Sequence, residues 1–225
     1  MDERKSPSGR ADAPSPLQSV LAVAAACILG AAATLTAWAA YRESLTSDLV
    51  LKGYSEQQAT IALANDTFGR ADQQESLETA LFLEWAGATS AGNAEAADYL
   101  IEVMSDELYG AVDWWAQQPD EVGFATPFVA ENPGYGQLPS QILVADGDAL
   151  LAEAAALRAA AEEADATSDR FDLASVFFAV VLFVAGLTTI VQSRGIQIGF
   201  LVLSTLGLGA GIGVLVTTPG WNSLG

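Results

Sequence analysis

The sequence predicts an all-α membrane protein: three transmembrane helices, and an extracytoplasmic antiparallel helical bundle continuous with them. Three observations carry this. Residues 13–41, 173–193 and 195–225 contain no charged residue, and each stretch exceeds the roughly 20 helical residues needed to cross a hydrocarbon core. Residues 42–172 hold 25 of the 28 acidic residues and five of the nine basic ones, so that block has a formal charge of −20. Within it apolar residues recur every three to four positions, and no period-two strand pattern of useful length appears.

Residues 1–16, with Arg4, Lys5 and Arg10 among Pro, Ser and Gly, are expected to form a disordered cytoplasmic tail. Residues 17–41 form the first transmembrane helix. A basic segment, an apolar run and the small-residue triplet Ala37-Trp38-Ala39 also fit a cleaved signal peptide. The apolar run is longer than a usual signal core, and Trp38 and Tyr41 suit a membrane interface, which favours a retained helix. Either way the acidic block is exported.

Residues 42–170 form the acidic helical domain. Leu45, Leu49, Ile61, Ala64 and Phe68 extend the first helix outward, with a kink expected at Gly53-Tyr54-Ser55 and a capping box in Ser55-Glu56-Gln57-Gln58. A continuous helix is the alternative there. Residues 73–89 make a further helix with Leu77, Leu81 and Trp85 apolar. Asn93 caps a helix over 94–117, whose apolar face carries Tyr99, Leu100, Met104, Leu108, Ala111, Val112 and Trp115. Leu150, Ala154, Leu157, Ala161 and Ala164 mark a stripe over 147–168 that runs on into the second membrane helix.

Residues 118–140 break the pattern with Pro119, Pro127, Pro133 and Pro139. Phe124, Phe128 and Tyr135 are too many aromatics for a disordered linker, so an ordered loop is expected. Phe124 and Phe128 cover the apolar end of the bundle beside Trp114 and Trp115. The sharper reading makes Trp114, Trp115, Phe124, Phe128 and Tyr135 a surface for a partner or glycan. On both, Trp114→Ala is more damaging than most changes.

The second and third transmembrane helices, 172–193 and 196–217, are separated by Ser193-Arg194-Gly195. Arg194 places that turn in the cytoplasm, so residues 42–170 and the tail 218–225 lie outside. Gly207, Gly209, Gly211 and Gly213 form two overlapped small-xxx-small pairs, and Gly186 sits on the second helix. These are the candidate membrane packing positions. Ser204, Thr205, Thr188 and Thr189 are expected to bond back to their own backbone.

The chemistry-bearing patterns are weak. There is no histidine, so a Ser-His-Asp triad is excluded, and Cys27 alone gives neither an intrachain disulfide nor a Cys/His zinc site. Asp146-Gly147-Asp148 lacks the remaining ligands of a calcium loop and is expected to be a helix-start turn. Glu162, Glu163, Asp165 and Asp169 fit a solvated face. The acidity argues against nucleic acid as a partner. No cofactor or metal is expected, and no ionisable group within the three apolar runs marks a transport path.

Glu84-Trp85-Ala86, Ala96-Ala97-Asp98-Tyr99-Leu100, Ala125-Thr126-Pro127-Phe128, Thr167-Ser168-Asp169-Arg170-Phe171 and Phe177-Phe178-Ala179-Val180 come in that order. Over most of residues 35–217 this layout resembles an uncharacterised family of bacterial membrane proteins. Those have one N-terminal membrane helix, an exported helical segment and a C-terminal membrane hairpin. The resemblance implies architecture and no active site. The expectation is a non-enzymatic multi-pass protein of the cell membrane. It would act by contact with the bilayer and with a membrane protein partner or its own copies. The alternative is an extracytoplasmic ligand or cation sensor working through a separate effector.

Overall fold

The computed structural model describes residues 16–119, 123–191 and 193–221. The expected N-terminal tail up to Ser15 and the last four residues of the C-terminal tail lie outside them. Five α-helices follow in order: α1 (Pro16–Ser90), α2 (Ala94–Val103), α3 (Asp106–Ala116), α4 (Pro139–Leu187) and α5 (Arg194–Thr217), with a 3-10 turn at Tyr135–Gln137. The protein is all-α. Among the described residues three helices, α1, α4 and α5, are long and apolar enough to cross a membrane.

Helix boundaries follow local chemistry. Pro16 and Pro139 open α1 and α4 at the one position where a missing N–H costs nothing. Gly92, at φ 69°, ends α1: the Asn93 N–H donates to the Ala88 carbonyl and the Gly92 N–H to that of Thr89. Asn93 then caps α2 by accepting from the Ala96 N–H at 3.2 Å. Pro219 and Gly220, at φ 70°, follow the end of α5.

Three expectations are corrected. The helix expected at 73–89 is not separate: α1 is one helix of 75 residues, which is the continuous alternative at 53–55. No proline lies between Pro16 and Pro119, and a lone Gly53 costs only about 1 kcal/mol in a helix. The helix expected over 94–117 is instead two, since Ser105 takes an extended conformation and accepts from the Leu108 N–H at 3.2 Å. Asp106 and Glu107 follow it in the first turn of α3, where the helix dipole favours them. Finally, Asp146-Gly147-Asp148 lies inside α4, which begins at Pro139, rather than at a helix start.

The described residues divide into two compact units, those within 16–51 and 161–221 and those within 52–160. In the first, α1, α4 and α5 pack through Ala39, Phe171, Ala174, Phe178 and Leu215. Much of the large apolar surface points outward, including Val180, Phe183 (68% exposed), Leu203 and Leu206. In water such exposure forfeits about 25 cal/mol per Å2; hydrocarbon removes the penalty. At one end of this unit the Arg42 guanidinium lies 5.6 Å from the Phe171 ring centre and 6.0 Å from that of Trp38. It donates to the Gly220 carbonyl at 2.8 Å, and Arg170 donates to that of Thr217 at 3.5 Å. Both cations thus sit at the C-terminal end of α5, where the helix dipole attracts positive charge.

In the second unit α1 and α4 run antiparallel. Glu78 meets Ser140, and Phe68, ten residues earlier, meets Gly147. Helices α2 and α3 and the loop after them cover the end of this pair through Phe82, Met104, Leu108, Ala111, Val112 and Leu138.

Candidate functional site

The aromatic positions singled out in the sequence converge in the second unit. Phe82, buried on α1, is the hub. The ring of Trp115 meets it edge-on at 5.2 Å between centroids, that of Phe128 meets it edge-on at 5.8 Å, and Trp85 lies at 6.4 Å. Edge-to-face geometry aligns ring quadrupoles favourably, adding about 0.5–1.5 kcal/mol per pair beyond area burial. Trp114 pairs with Phe124 at 5.6 Å, and the Trp115 indole N–H donates to the Phe124 carbonyl at 2.7 Å. Tyr135 packs at the margin of the same core. These residues are half-buried, and each touches another part of the cluster. Tyr99, assigned to the apolar face, is instead 66% exposed.

Two buried polar side chains hold this arrangement, and patterning missed both. Asn132 is 2% exposed; its amide donates to the carbonyls of Ala111 (3.0 Å) and Pro127 (2.8 Å), while its oxygen accepts from the Gly134 N–H at 3.0 Å. It ties α3 to both sides of the loop. The other is Glu78, 1% exposed. Its Oε1 accepts from the Ser140 N–H (3.1 Å) and from Gln74 Nε2 (3.1 Å), and its Oε2 from the Ser140 hydroxyl (2.6 Å). The carboxyl therefore satisfies a donor at the start of α4 that no intrahelical carbonyl can reach. The Asn-Pro-Gly and Pro-Ser sequences after residue 131 are turn and helix-start signals, but their long-range partners are invisible without the fold.

A cavity of 430 Å3 opens beside the aromatic cluster. Its walls include Trp85, Thr89, Trp115, Pro119, Gly123 and Phe124, and no charged side chain is among the described lining residues. No group of three or more metal-ligating side chains occurs among the described residues.

The glycines divide by face. A Cβ on Gly211 would lie 2.6 Å from the buried Phe178 ring, and one on Gly207 would lie 2.9 Å from Val181. These two admit α4 to close approach. Gly186, Gly209 and Gly213 meet nothing within 4 Å, so their faces are open within the chain. Thr188, Thr189 and Thr205 bond back to carbonyls of their own helix or turn, whereas the buried Ser204 hydroxyl does not. Comparison with protein-family models, curated proteins and solved structures finds no match to this chain.

Proposed function

We propose that this chain is a non-enzymatic multi-pass protein of the cell membrane that acts by protein–protein contact, as a scaffold or accessory subunit. The observation that carries this is the division of the α5 glycines. Gly207 and Gly211 are filled by α4, while Gly209 and Gly213, on the same helix, are left open. In lipid there is no hydrophobic drive between helices, so close backbone approach at small residues is the main source of association. A second copy of the chain or another membrane protein would seat on that face. The N-terminus and the turn at Arg194 are placed in the cytoplasm and residues 42–170 outside, by the distribution of basic residues. The resemblance to bacterial membrane proteins of the same layout agrees with this reading.

The test is the mass of the protein extracted in mild detergent. A homo-oligomer or a stoichiometric companion is expected, and Gly209→Leu with Gly213→Leu should disperse it while the fold persists. A monomer with no companion counts against the proposal. The alternative, a ligand sensor, is favoured by the aromatic cavity. It would work through a separate effector.

A further inference from the structure

We infer that the outward faces of α2 and α3 dock an arginine-bearing segment of another protein. This surface is separate from the open face of α5, and the inference holds whether or not the membrane helices associate. It starts from a spacing. Glu95, Tyr99, Glu102, Asp106, Tyr109 and Asp113 follow one another in alternating steps of four and three residues. On each helix this sets a tyrosine between two carboxylates, one turn before it and one turn after. In α2 these are Glu95 and Glu102, in α3 Asp106 and Asp113. Both tyrosines are exposed, and so is Val103, one turn beyond Tyr99. The buried positions are others: Ala97 on α2, and Leu108, Ala111 and Val112 on α3.

The chain leaves this face without a counter-charge. No Lys or Arg occurs between Arg70 and Arg158, and α2 and α3 hold six acidic residues. Among the described residues none of the six is in a salt bridge. Like charges three or four residues apart on a helix repel, as Glu95 with Asp98 and Asp98 with Glu102 do. A cation placed against them relieves that repulsion.

The occupant follows from the chemistry of the pattern. A guanidinium is planar and weakly hydrated, stacks on aromatic faces and donates to carboxylates in a fork. A tyrosine with an acid one turn to either side offers both interactions to the same group. An ammonium holds its hydration more strongly and gains less from the ring. Val103 adds apolar area beside Tyr99 for the aliphatic stem of the arginine. A second copy of the chain does not fit. Residues 52–160 carry 18 acidic residues against three basic ones, so two such faces repel. A metal ion does not fit either, since no group of three or more metal-ligating side chains occurs among the described residues.

The experiment uses the full chain in a maltoside detergent, in a fixed sodium chloride background. The probes are two labelled peptides capped at both ends, one of alternating arginine and glycine, the other of alternating lysine and glycine. Binding is read by fluorescence anisotropy. Saturable binding of the arginine peptide is expected, tighter than that of the lysine peptide. Tyr99→Gln with Tyr109→Gln keeps the charge and should weaken the arginine peptide by about fivefold to thirtyfold, the range that two exposed cation–π contacts give. Glu95→Gln with Glu102→Gln and Asp113→Asn should also weaken it. The loss should exceed that from Asp146→Asn with Asp148→Asn and Glu153→Gln, which removes the same charge from exposed positions of α4. Equal binding of the two peptides, binding unmoved by the tyrosine changes, or equal losses in the two charge variants would show attraction by net charge alone and overturn the proposal. Absence of saturable binding would overturn it too. The mass of the protein in detergent reads the α5 face independently of these outcomes.

Discussion

Glu78 places a carboxyl group, buried to 1% exposure, between two helices. Glu78 is compensated by three donors, two of them from Ser140. Its removal leaves the Ser140 N–H buried without a partner. Glu78→Ala should therefore lower stability by about 2–3 kcal/mol, and Glu78→Gln, which keeps the shape and one acceptor, by about 1 kcal/mol. Chemical denaturation followed by tryptophan fluorescence would measure both. Asn132→Ala should cost about 2 kcal/mol on the same assay, because two carbonyls and one N–H lose their partner together. Trp114→Ala removes the pairing with Phe124 and belongs with these. The glycines of α5 give a sharper contrast. Gly211→Ala forces a methyl against the fully buried Phe178 and should destabilise the fold by about 1–3 kcal/mol, whereas Gly209→Ala, which meets nothing in its own chain, should leave the fold of the single chain unchanged or slightly stabilised.

Burial along α1 explains why it runs unbroken through residues 53–55. From Val50 a row of less exposed positions runs through Gly53, Gln57, Thr60, Ala64, Thr67, Ala71, Gln74, Glu78, Leu81 and Trp85 in alternating steps of three and four, with Tyr54, Ile61, Phe68 and Phe82 on the same side of the helix. That 3.5-residue period is the seam of a left-handed supercoil. On α4, Ser140, Gly147, Ala154, Ala161 and Ser168 recur every seven residues and are all buried. The existence of these helices was legible from their apolar residues, and their packing faces only in part. Apart from Val50, Leu81 and Trp85 the seam is built of Ala, Gly, Thr, Gln, Ser and one Glu, while Leu63, Leu77 and Leu83 point outward. A search for apolar stripes therefore reads α1 only in part: Ala64, Phe68, Leu81 and Trp85 lie on the packed side, whereas Leu45, Leu49 and Leu77 are exposed. The same small residues let the helices come close, as Gly147 shows where Phe68 lies 2.6 Å from its would-be Cβ. The break at Ser105 was legible in principle, from a capping residue followed by two acids; a continuous apolar spacing concealed it. Gly69 lies within α1 and has open space around it. Gly69→Ala should raise stability by up to about 1 kcal/mol, and Gly69→Pro should lower it by about 3 kcal/mol or more, read as shifts in thermal midpoint.

At the scale of the molecule, charge segregation alone marked the class: apolar runs without a charge on either side of a strongly acidic block. The aromatic cluster was half legible. Its residue types stood out in a Pro-rich loop, but Phe82, the buried ring on which Trp85, Trp115 and Phe128 pack, lies more than 30 residues away in sequence from Trp115 and Phe128. The central claim is that hydrocarbon solvates the outward faces of α1, α4 and α5 in one unit, while water outside the cell solvates the acidic unit. The most direct measurement is labelling of intact cells with a membrane-impermeant maleimide. With Cys27 replaced by serine, a single cysteine is introduced at the exposed Ser76 or, in a second variant, at Arg194, the first residue of α5. Ser76→Cys should label on intact cells and Arg194→Cys only after permeabilisation. Labelling in the reverse order, or recovery of the protein in the soluble fraction without detergent, would contradict the account.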